Sequence, residues 1–191
     1  TDETAPSMAR LIQESGIVMA MVGGLYALAG TRLESRLQRE GRLFAASAVE
    51  TGGQTDIDQT TSGLNFATVR PRSDILEDQA RVLESVYNPR QYYERVLQTA
   101  RQLRPVRGHR ARASEWPRTA RSFWRVSRRA GFRRTTALRY WSLLGQVLVR
   151  NPRALEMAVN LAAMYVHFGA QAEFAAQTLR ERAAAIRSIG E

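Results

Sequence analysis

The pattern of apolar and polar positions predicts a helix, a strand and a second helix in the first part of the chain. Apolar side chains recur at helical spacing as far as Gly16. A continuous apolar run follows at residues 17–22 between glycines, which is typical of a strand buried on both faces of a parallel sheet. Thr31 and Glu34 then have the spacing of a capping box, so a helix is predicted from there to Gly41.

This order of elements forms one piece of an α/β repeat. Because a single strand does not make a sheet, we expect residues 1–45 to be the end of a domain whose beginning lies outside this sequence. Residues 46–72 are polar and rich in Gly, Thr, Asp, Gln and Ser, and they predict a long loop.

Beyond residue 72, every periodic segment predicts a helix. Asn88 and Pro89 have the pattern of a helix cap followed by proline in the first turn, and Asn151 and Pro152 repeat it. Gly169 marks a position where the last helix can break. The predicted helices cover about residues 73–87, 89–105, 117–130, 135–150 and 152–188. The fold class is therefore predicted as mainly α with a short α/β piece at the N-terminus.

The composition excludes several kinds of active site. The 191 residues contain no cysteine and two histidines, so this chain cannot supply disulfides, thiolate nucleophiles or thiolate ligands for iron–sulfur clusters. We expect His109 to be exposed in a basic linker and His167 to be hydrogen-bonded in a core or an interface. Asp56 and Asp58 lack the rest of a calcium-binding pattern. No catalytic residue and no metal ligand is predicted.

Positive charge is concentrated in the second half of the chain. All 28 basic residues are arginine, and 13 of them lie in residues 101–139 against Glu115 alone. Such a block can bind the phosphates of RNA, DNA or anionic lipid, but a GC-rich genome that encodes arginine in place of lysine also produces it. Aromatic residues between the arginines can stack on bases, although aromatic residues at helical spacing more often form a core. They are Trp116, Phe123, Trp124, Phe132, Tyr140 and Trp141.

Three stretches together resemble the C-terminal part of cobalamin-binding radical SAM proteins. Within residues 5–43, LIQESGIVMAMVGGLYALAGTRLESRLQREGRL is similar to the last helix, strand and helix of their barrel, where the turn reads A-L-P-G-T-x-L and the helix closes on E-G-R-L. Here Ala29 stands where the family usually has proline. VYNPRQYYERVL at residues 86–97 is similar to the Y-x-P-x-x-Y-Y-x-R segment of their C-terminal domain of unknown function. Tyr140-Trp141, Asn151-Pro152 and His167-Phe168 follow in the order and spacing of its final helices.

The resemblance implies a cytoplasmic enzyme that cleaves S-adenosylmethionine at a [4Fe–4S] cluster, with cobalamin on a preceding domain. This chain would be its C-terminal third, in which residues 1–45 supply the last strand or strands of a partial parallel barrel, residues 46–72 form the loop and residues 73–191 form a helical domain. The cluster-binding cysteines would lie in an early barrel loop outside this sequence. We therefore expect the chain alone to bind no cofactor and to be inactive.

The resemblance also implies partners and a small set of site residues. The partners are the upstream radical SAM and cobalamin domains, on the same polypeptide or on a partner chain, and an unidentified small-molecule or lipid substrate; nucleic acid is not expected. Tyr26, Ala27 and Leu28 are expected on the S-adenosylmethionine side of the barrel mouth, because the C-terminal ends of parallel strands line such sites. Helix packing with one ion pair is expected for the matching positions Tyr92, Tyr93 and Arg95.

Two alternatives remain open from the residues alone. The first is an arginine-rich helical module that binds nucleic acid or anionic lipid, with an affinity that falls steeply with salt. The second is a structural subunit that completes a barrel made by another polypeptide.

Overall fold

The chain is mainly helical, as predicted. The computed structural model describes residues 3–44, 64–104 and 116–189. Asp56, Asp58 and His109 lie outside these ranges, so the exposure of His109 stays a prediction. The helices are α1 (Thr4–Ser15), α2 (Arg32–Arg39), α3 (Arg72–Val86), α4 (Pro89–Gln102), α5 (Trp116–Ala130), α6 (Ala137–Arg150) and α7 (Leu155–Ile189), with a 3-10 turn at Pro152–Ala154. None of the described helices is long and apolar enough to cross a membrane.

The first two helices end and begin where the sequence predicts. Gly16, after α1, and Gly41, after α2, have φ angles of +72° and +64°, a region that glycine adopts without strain. The hydroxyl of Thr31 accepts a hydrogen bond from the backbone N–H of Glu34 at 3.2 Å. The carboxylate of Glu34 reaches back to the N–H of Gly30 at 2.6 Å, so the capping box closes one residue earlier than in its usual form.

The two Asn-Pro pairs have different roles. The side chain of Asn88 caps α4 by accepting from the N–H of Arg90 at 3.0 Å, as predicted. The predicted cap at Asn151 is wrong, since its side chain makes no capping hydrogen bond. Its amide instead donates to the carbonyl oxygens of Ala100 (2.8 Å) and Leu103 (2.9 Å) and satisfies the end of α4. A 3-10 turn therefore precedes α7.

The predicted strand at residues 17–22 is not formed in the described part of the chain. These residues pair with no other described strand, and the isolated antiparallel bridge between Leu43 and Phe66 lies elsewhere. The physical reason is that a strand requires a neighbouring backbone. Here the carbonyl groups of Gly16, Val18 and Ala20 instead bind the side chains of Thr99, Arg95 and Tyr87. The prediction of a strand is therefore corrected to a non-helical segment.

Contacts divide the chain into two compact units, and the first consists of Thr1–Ala5, Met21–Glu84 and Glu173–Glu191. It has a small apolar core of Ala27, Leu37, Leu64 and Phe66. Exposed ion pairs also join α3 to the last part of α7. The pairs are Arg180 with Glu84, and Arg187 with both Asp74 and Glu77.

The second unit consists of Pro6–Ala20 and Ser85–Ala172. Its larger core comes from α4, α6 and the part of α7 before Glu173, and each fully buried large side chain there contributes roughly 1.5–3 kcal/mol. The members with the least exposure include Tyr92, Val96, Tyr140, Leu143, Val147, Ala158 and Ala162. Helix α7 continues through Gly169 without a break. The sequence-based domain boundaries after residues 45 and 72 stay predictions.

Candidate functional site

The predicted cofactor-binding residues Tyr26, Ala27 and Leu28 lie in the first unit, outside regular secondary structure. The N–H of the buried Ala27 donates to the side-chain oxygen of Asn65 at 2.9 Å, and the Asn65 amide donates back to the Ala27 carbonyl at 3.0 Å. The Leu28 carbonyl accepts from the hydroxyl of Thr31 at 2.7 Å. These backbone groups are therefore occupied. The turn offers a ligand the half-buried ring of Tyr26 and the exposed side chain of Leu28.

In the second unit, alternate carbonyl groups of residues 16–20 are held by side chains of α4 and of the residue that follows α3. The pairs are Thr99 Oγ1 to Gly16 O (3.0 Å), Arg95 Nη2 to Val18 O (3.3 Å) and Tyr87 Oη to Ala20 O (3.0 Å). Gly16 has a φ of +72° and the chain bends at Val18, so residues 16–20 are not a regular strand. Three of their carbonyl groups are therefore bound by side-chain donors and not by a neighbouring strand.

The side chains of the same segment alternate between buried and exposed. Val18 is buried in the second unit, whereas its neighbours Ile17 and Met19 are exposed. In the first unit, Met21 is 94% exposed and Leu25 is also exposed. Within each unit, this part of the chain thus leaves large apolar side chains exposed, although it is not a regular strand.

Arg95 is the buried donor at the centre of this arrangement, with 1% of its surface exposed. Its guanidinium donates to Gln13 Oε1 at 2.7 Å and to the carbonyl groups of Val18 and Val86, and it lies 5.7 Å from the centre of the Tyr92 ring. Its Nε has no partner among the described residues. The predicted ion pair is wrong, because the described acceptors are neutral. Burial lowers the pKa of Arg95, while the nearby tyrosines oppose that shift.

A cluster of tyrosines lies next to Arg95 in the second unit. The ring centres of Tyr92 and Tyr165 are 4.9 Å apart, and those of Tyr93 and Tyr165 are 5.6 Å apart. The Tyr92 hydroxyl donates to the Leu161 carbonyl at 2.9 Å, whereas the buried Tyr93 hydroxyl has no partner in the described part of the chain. Burial raises the pKa of Tyr92 and of Tyr93, so both phenols stay protonated at neutral pH. The cluster supplies packing rather than a general base.

An open groove of about 520 Å³ runs between α4 and α6. Its rim is polar, with an ion pair of 3.0 Å between Arg90 and Glu94, and its floor is partly apolar. The lining residues are Arg90, Tyr93, Glu94, Leu97, Leu138, Arg139, Ser142, Leu143 and Gln146. This set contains no nucleophile paired with a base. The groove has the chemistry of a binding surface.

His167 does not lie in the core. Its side chain is exposed beside Phe168, with 5.3 Å between ring centres, and it lines a cavity of about 300 Å³ with Arg125 and Arg129. The core alternative for His167 is wrong because this position of α7 faces away from the buried stripe, and the interface alternative stays a prediction. Among the described residues, no group of three or more histidine, aspartate or glutamate side chains could hold a metal ion.

The aromatic residues of α5 and α6 also depart from the expected core. Tyr140 is buried, and its hydroxyl shares a hydrogen bond of 2.7 Å with that of Ser127. The side chain of Trp116 lies outside the described part. The core interpretation is wrong for four others because α5 buries small side chains and α6 buries mainly its aliphatic ones. The four exposed aromatic residues are Phe123, Trp124, Phe132 and Trp141.

Several polar side chains that bind the backbone of residues 16–28 do not stand out in the sequence. Asn65 and Thr99 belong to this group, as does Gln79, whose amide donates to the Val22 carbonyl at 3.3 Å. One signal was available, because Arg95 and Thr99 are four residues apart on the otherwise apolar stripe of α4. A polar pair at core positions predicts a buried hydrogen-bonding role.

The comparisons with known proteins identify relatives of unknown or general function. Residues 31–181 match the family described as "Domain of unknown function (DUF4070)". The chain is also 28% identical over 173 residues to "Uncharacterized methyltransferase sll1242" from Synechocystis sp. (strain ATCC 27184 / PCC 6803 / Kazusa). That alignment covers 91% of this chain and 31% of the relative, so the chain spans about a third of that protein's length. No solved structure matches the chain.

Proposed function

Since the chain belongs to the family described as a domain of unknown function (DUF4070), we propose that it is the C-terminal portion of a cobalamin-dependent radical SAM methyltransferase. The family match, the relative's name as a methyltransferase and the three sequence segments described above support this proposal. In it, residues 1–45 complete a parallel barrel and residues 73–191 form a helical cap over the substrate. The proposal includes a cytoplasmic location, where thiolate ligands remain reduced.

The alternation along residues 17–25 is the observation that carries the proposal. The carbonyl groups of residues 16, 18 and 20 are bound by side chains, and the apolar side chains of Ile17, Met19 and the more exposed Met21 have no comparable cover in their own units. In the proposal these exposed side chains pack against the rest of the barrel, because a barrel strand buries its apolar side chains.

The residues of this chain fit only part of the proposed cofactor set. Without cysteine, the chain supplies no thiolate for an iron–sulfur cluster, so the preceding domains would hold the cluster and cobalamin. S-adenosylmethionine supplies the radical or methyl group when it is bound. Because Asn65 occupies the backbone of Ala27, the contribution of Tyr26 and Leu28 would be aromatic and apolar contact with the adenine ring.

The exposed face of the segment can be tested by assembly. The M21D variant should lose at least about tenfold in affinity for the cysteine-bearing radical SAM domain encoded with this sequence, since burying one methionine contributes roughly 1.5–3 kcal/mol. V69D is the matched control, because Val69 is 98% exposed in the same unit but outside the segment. Co-purification or titration of the two components measures the difference.

Cluster content gives a second readout. After anaerobic iron–sulfide reconstitution, the assembly should retain cluster absorption through desalting, while this chain alone should retain none. Wild-type assembly by M21D would overturn the proposal. So would a stable cluster on the chain alone, or the lack of a C-x-x-x-C-x-x-C motif in both the encoded polypeptide and the chains that co-purify with it.

A further inference from the structure

Helix α6 has an apolar face on each side. One face is in the core of the second unit and includes Tyr140 and Leu143. The other is exposed: Leu138 is 86% exposed and Val149 is 85% exposed, and both are large aliphatic residues. We call the exposed set the α6 stripe, which consists of Leu138, Trp141, Leu148 and Val149. Trp141, Leu148 and Val149 follow Leu138 by three, ten and eleven residues. This spacing places all four on one side of the helix.

The α6 stripe follows a strongly basic part of the chain. Residues 116–155 contain ten arginines and no aspartate or glutamate. None of these arginines whose side chains are described forms an ion pair with another described residue, and Arg133, Arg134 and Arg139 are exposed next to the start of α6. Trp124 and Phe132 are also exposed in this region. The surface therefore combines unneutralised positive charge with aliphatic and aromatic side chains.

Charge and side-chain type decide between three occupants. A second copy of this surface would bring exposed arginines such as Arg133, Arg134 and Arg139 against their counterparts, with no carboxylate in residues 116–155 to neutralise them. RNA would account for the arginines and tryptophans, but its phosphates and bases do not favour the burial of Leu138, Leu148 and Val149. An anionic lipid surface accounts for all of them, because aliphatic side chains enter the acyl boundary, tryptophan lies at the interface and arginine reaches the phosphates.

We propose that α6 binds the surface of membranes that contain anionic phospholipids, with the α6 stripe facing the acyl boundary and the flanking arginines at the headgroups. Polybasic segments are attracted to such surfaces through their individual charges, and the attraction weakens with salt. The groove between α4 and α6 adjoins this surface, since Leu138 belongs to both. This inference concerns the second unit alone and does not depend on the proposed methyltransferase.

Vesicle binding by the whole chain tests the proposal. Co-sedimentation with phosphatidylcholine vesicles, with or without phosphatidylglycerol, gives the partition coefficient, and the summed fluorescence of Trp116, Trp124 and Trp141 reports whether tryptophan enters a less polar environment. The L138S/V149S variant keeps the net charge and removes two exposed aliphatic side chains. Its partitioning into phosphatidylglycerol vesicles should fall about tenfold. The V69S/F174S variant is the control, because it removes exposed apolar residues from the first unit.

Two further measurements, binding to single-stranded RNA and the oligomeric state, distinguish lipid from RNA and from a second copy of this chain. Supporting results are salt-sensitive binding to phosphatidylglycerol vesicles, little binding to pure phosphatidylcholine, a loss in L138S/V149S and no loss in V69S/F174S. The proposal is overturned by equal vesicle binding of both double variants, or by tight binding to a single-stranded RNA oligonucleotide without binding to vesicles. Concentration-dependent dimerisation that disappears in L138S/V149S would also overturn it, as would the absence of vesicle binding at low salt.

Discussion

The buried arginine of α4 gives the sharpest test of the packing described above. Arg95 is 1% exposed and donates to one side-chain oxygen and two backbone carbonyl groups. The R95M variant keeps an unbranched apolar stem of similar reach and removes the guanidinium. The carbonyl groups of Val18 and Val86 then lose their donor inside the second unit.

The magnitude follows from the number of acceptors left without a donor. A buried carbonyl group that loses its partner costs about 1–3 kcal/mol. Two such groups cost roughly 2–6 kcal/mol. Part of this cost is offset, because R95M no longer buries a cation, and desolvation of that cation is the main cause of the lowered pKa of Arg95. We therefore expect R95M to lower the free energy of unfolding by about 2–4 kcal/mol.

Urea unfolding followed by circular dichroism measures this difference, with R90M as the matched control. Arg90 lies on the same helix, but it is exposed and pairs with Glu94 across one helical turn, an interaction worth roughly 0.3–0.5 kcal/mol. R95K should recover little, because a single ammonium cannot reach three acceptors in the fork geometry of arginine. A loss below about 1 kcal/mol in R95M, or equal losses in R95M and R90M, would refute the reasoning.

Three further predictions concern ionisation, close packing and the turn at residues 26–28. Burial raises the pKa of Tyr92 and Tyr93 above the value of about 10 in an unfolded chain, so their stability contribution is complete below that pH and is lost as the pH rises beyond it. Tyrosinate absorbance should then appear together with unfolding, and a freely titrating folded state would contradict this. G131A should lower the free energy of unfolding by about 1–3 kcal/mol, because its Cβ would lie 2.5 Å from a backbone oxygen and 3.0 Å from the Trp141 ring. In the control G145A the added Cβ meets nothing within 4 Å, so this variant should be neutral or stabilising in thermal unfolding. N65L should lower the unfolding free energy of the first unit by about 1–3 kcal/mol in urea titrations, since both polar groups of Ala27 lose their partner; an unchanged midpoint would count against this role.

The helices were predictable because their signals are local. The Asn88 cap, the Thr31 capping box and the glycine after α2 act within one turn of the helix that they delimit, and the structure has each of them. Asn151 shows the limit of such reasoning. It carries the same local signal as Asn88, but it uses its amide on carbonyl groups of α4 about fifty residues earlier, a contact that no local pattern reveals.

The prediction of a strand at residues 17–22 is wrong for a related reason. A continuous apolar run predicts burial on both faces, yet Val18 is buried while Ile17, Met19 and Met21 are exposed. The run alone does not show which side chains pack inside this chain. The donors that bind the segment, Gln79, Tyr87 and Arg95, come from residues 57 or more positions later, so their role follows only from the folded structure.

Amide hydrogen exchange at residues 17–21 tests the central claim most directly. The described hydrogen bonds engage the carbonyl groups of residues 16, 18 and 20, whereas none of them involves the N–H groups of Met19 and Met21. We expect these two amides to exchange rapidly in the chain alone and to become strongly protected when the proposed cysteine-bearing radical SAM domain is assembled with it. Equal exchange of Met19 and Met21 in both states would contradict the claim that this segment completes a barrel.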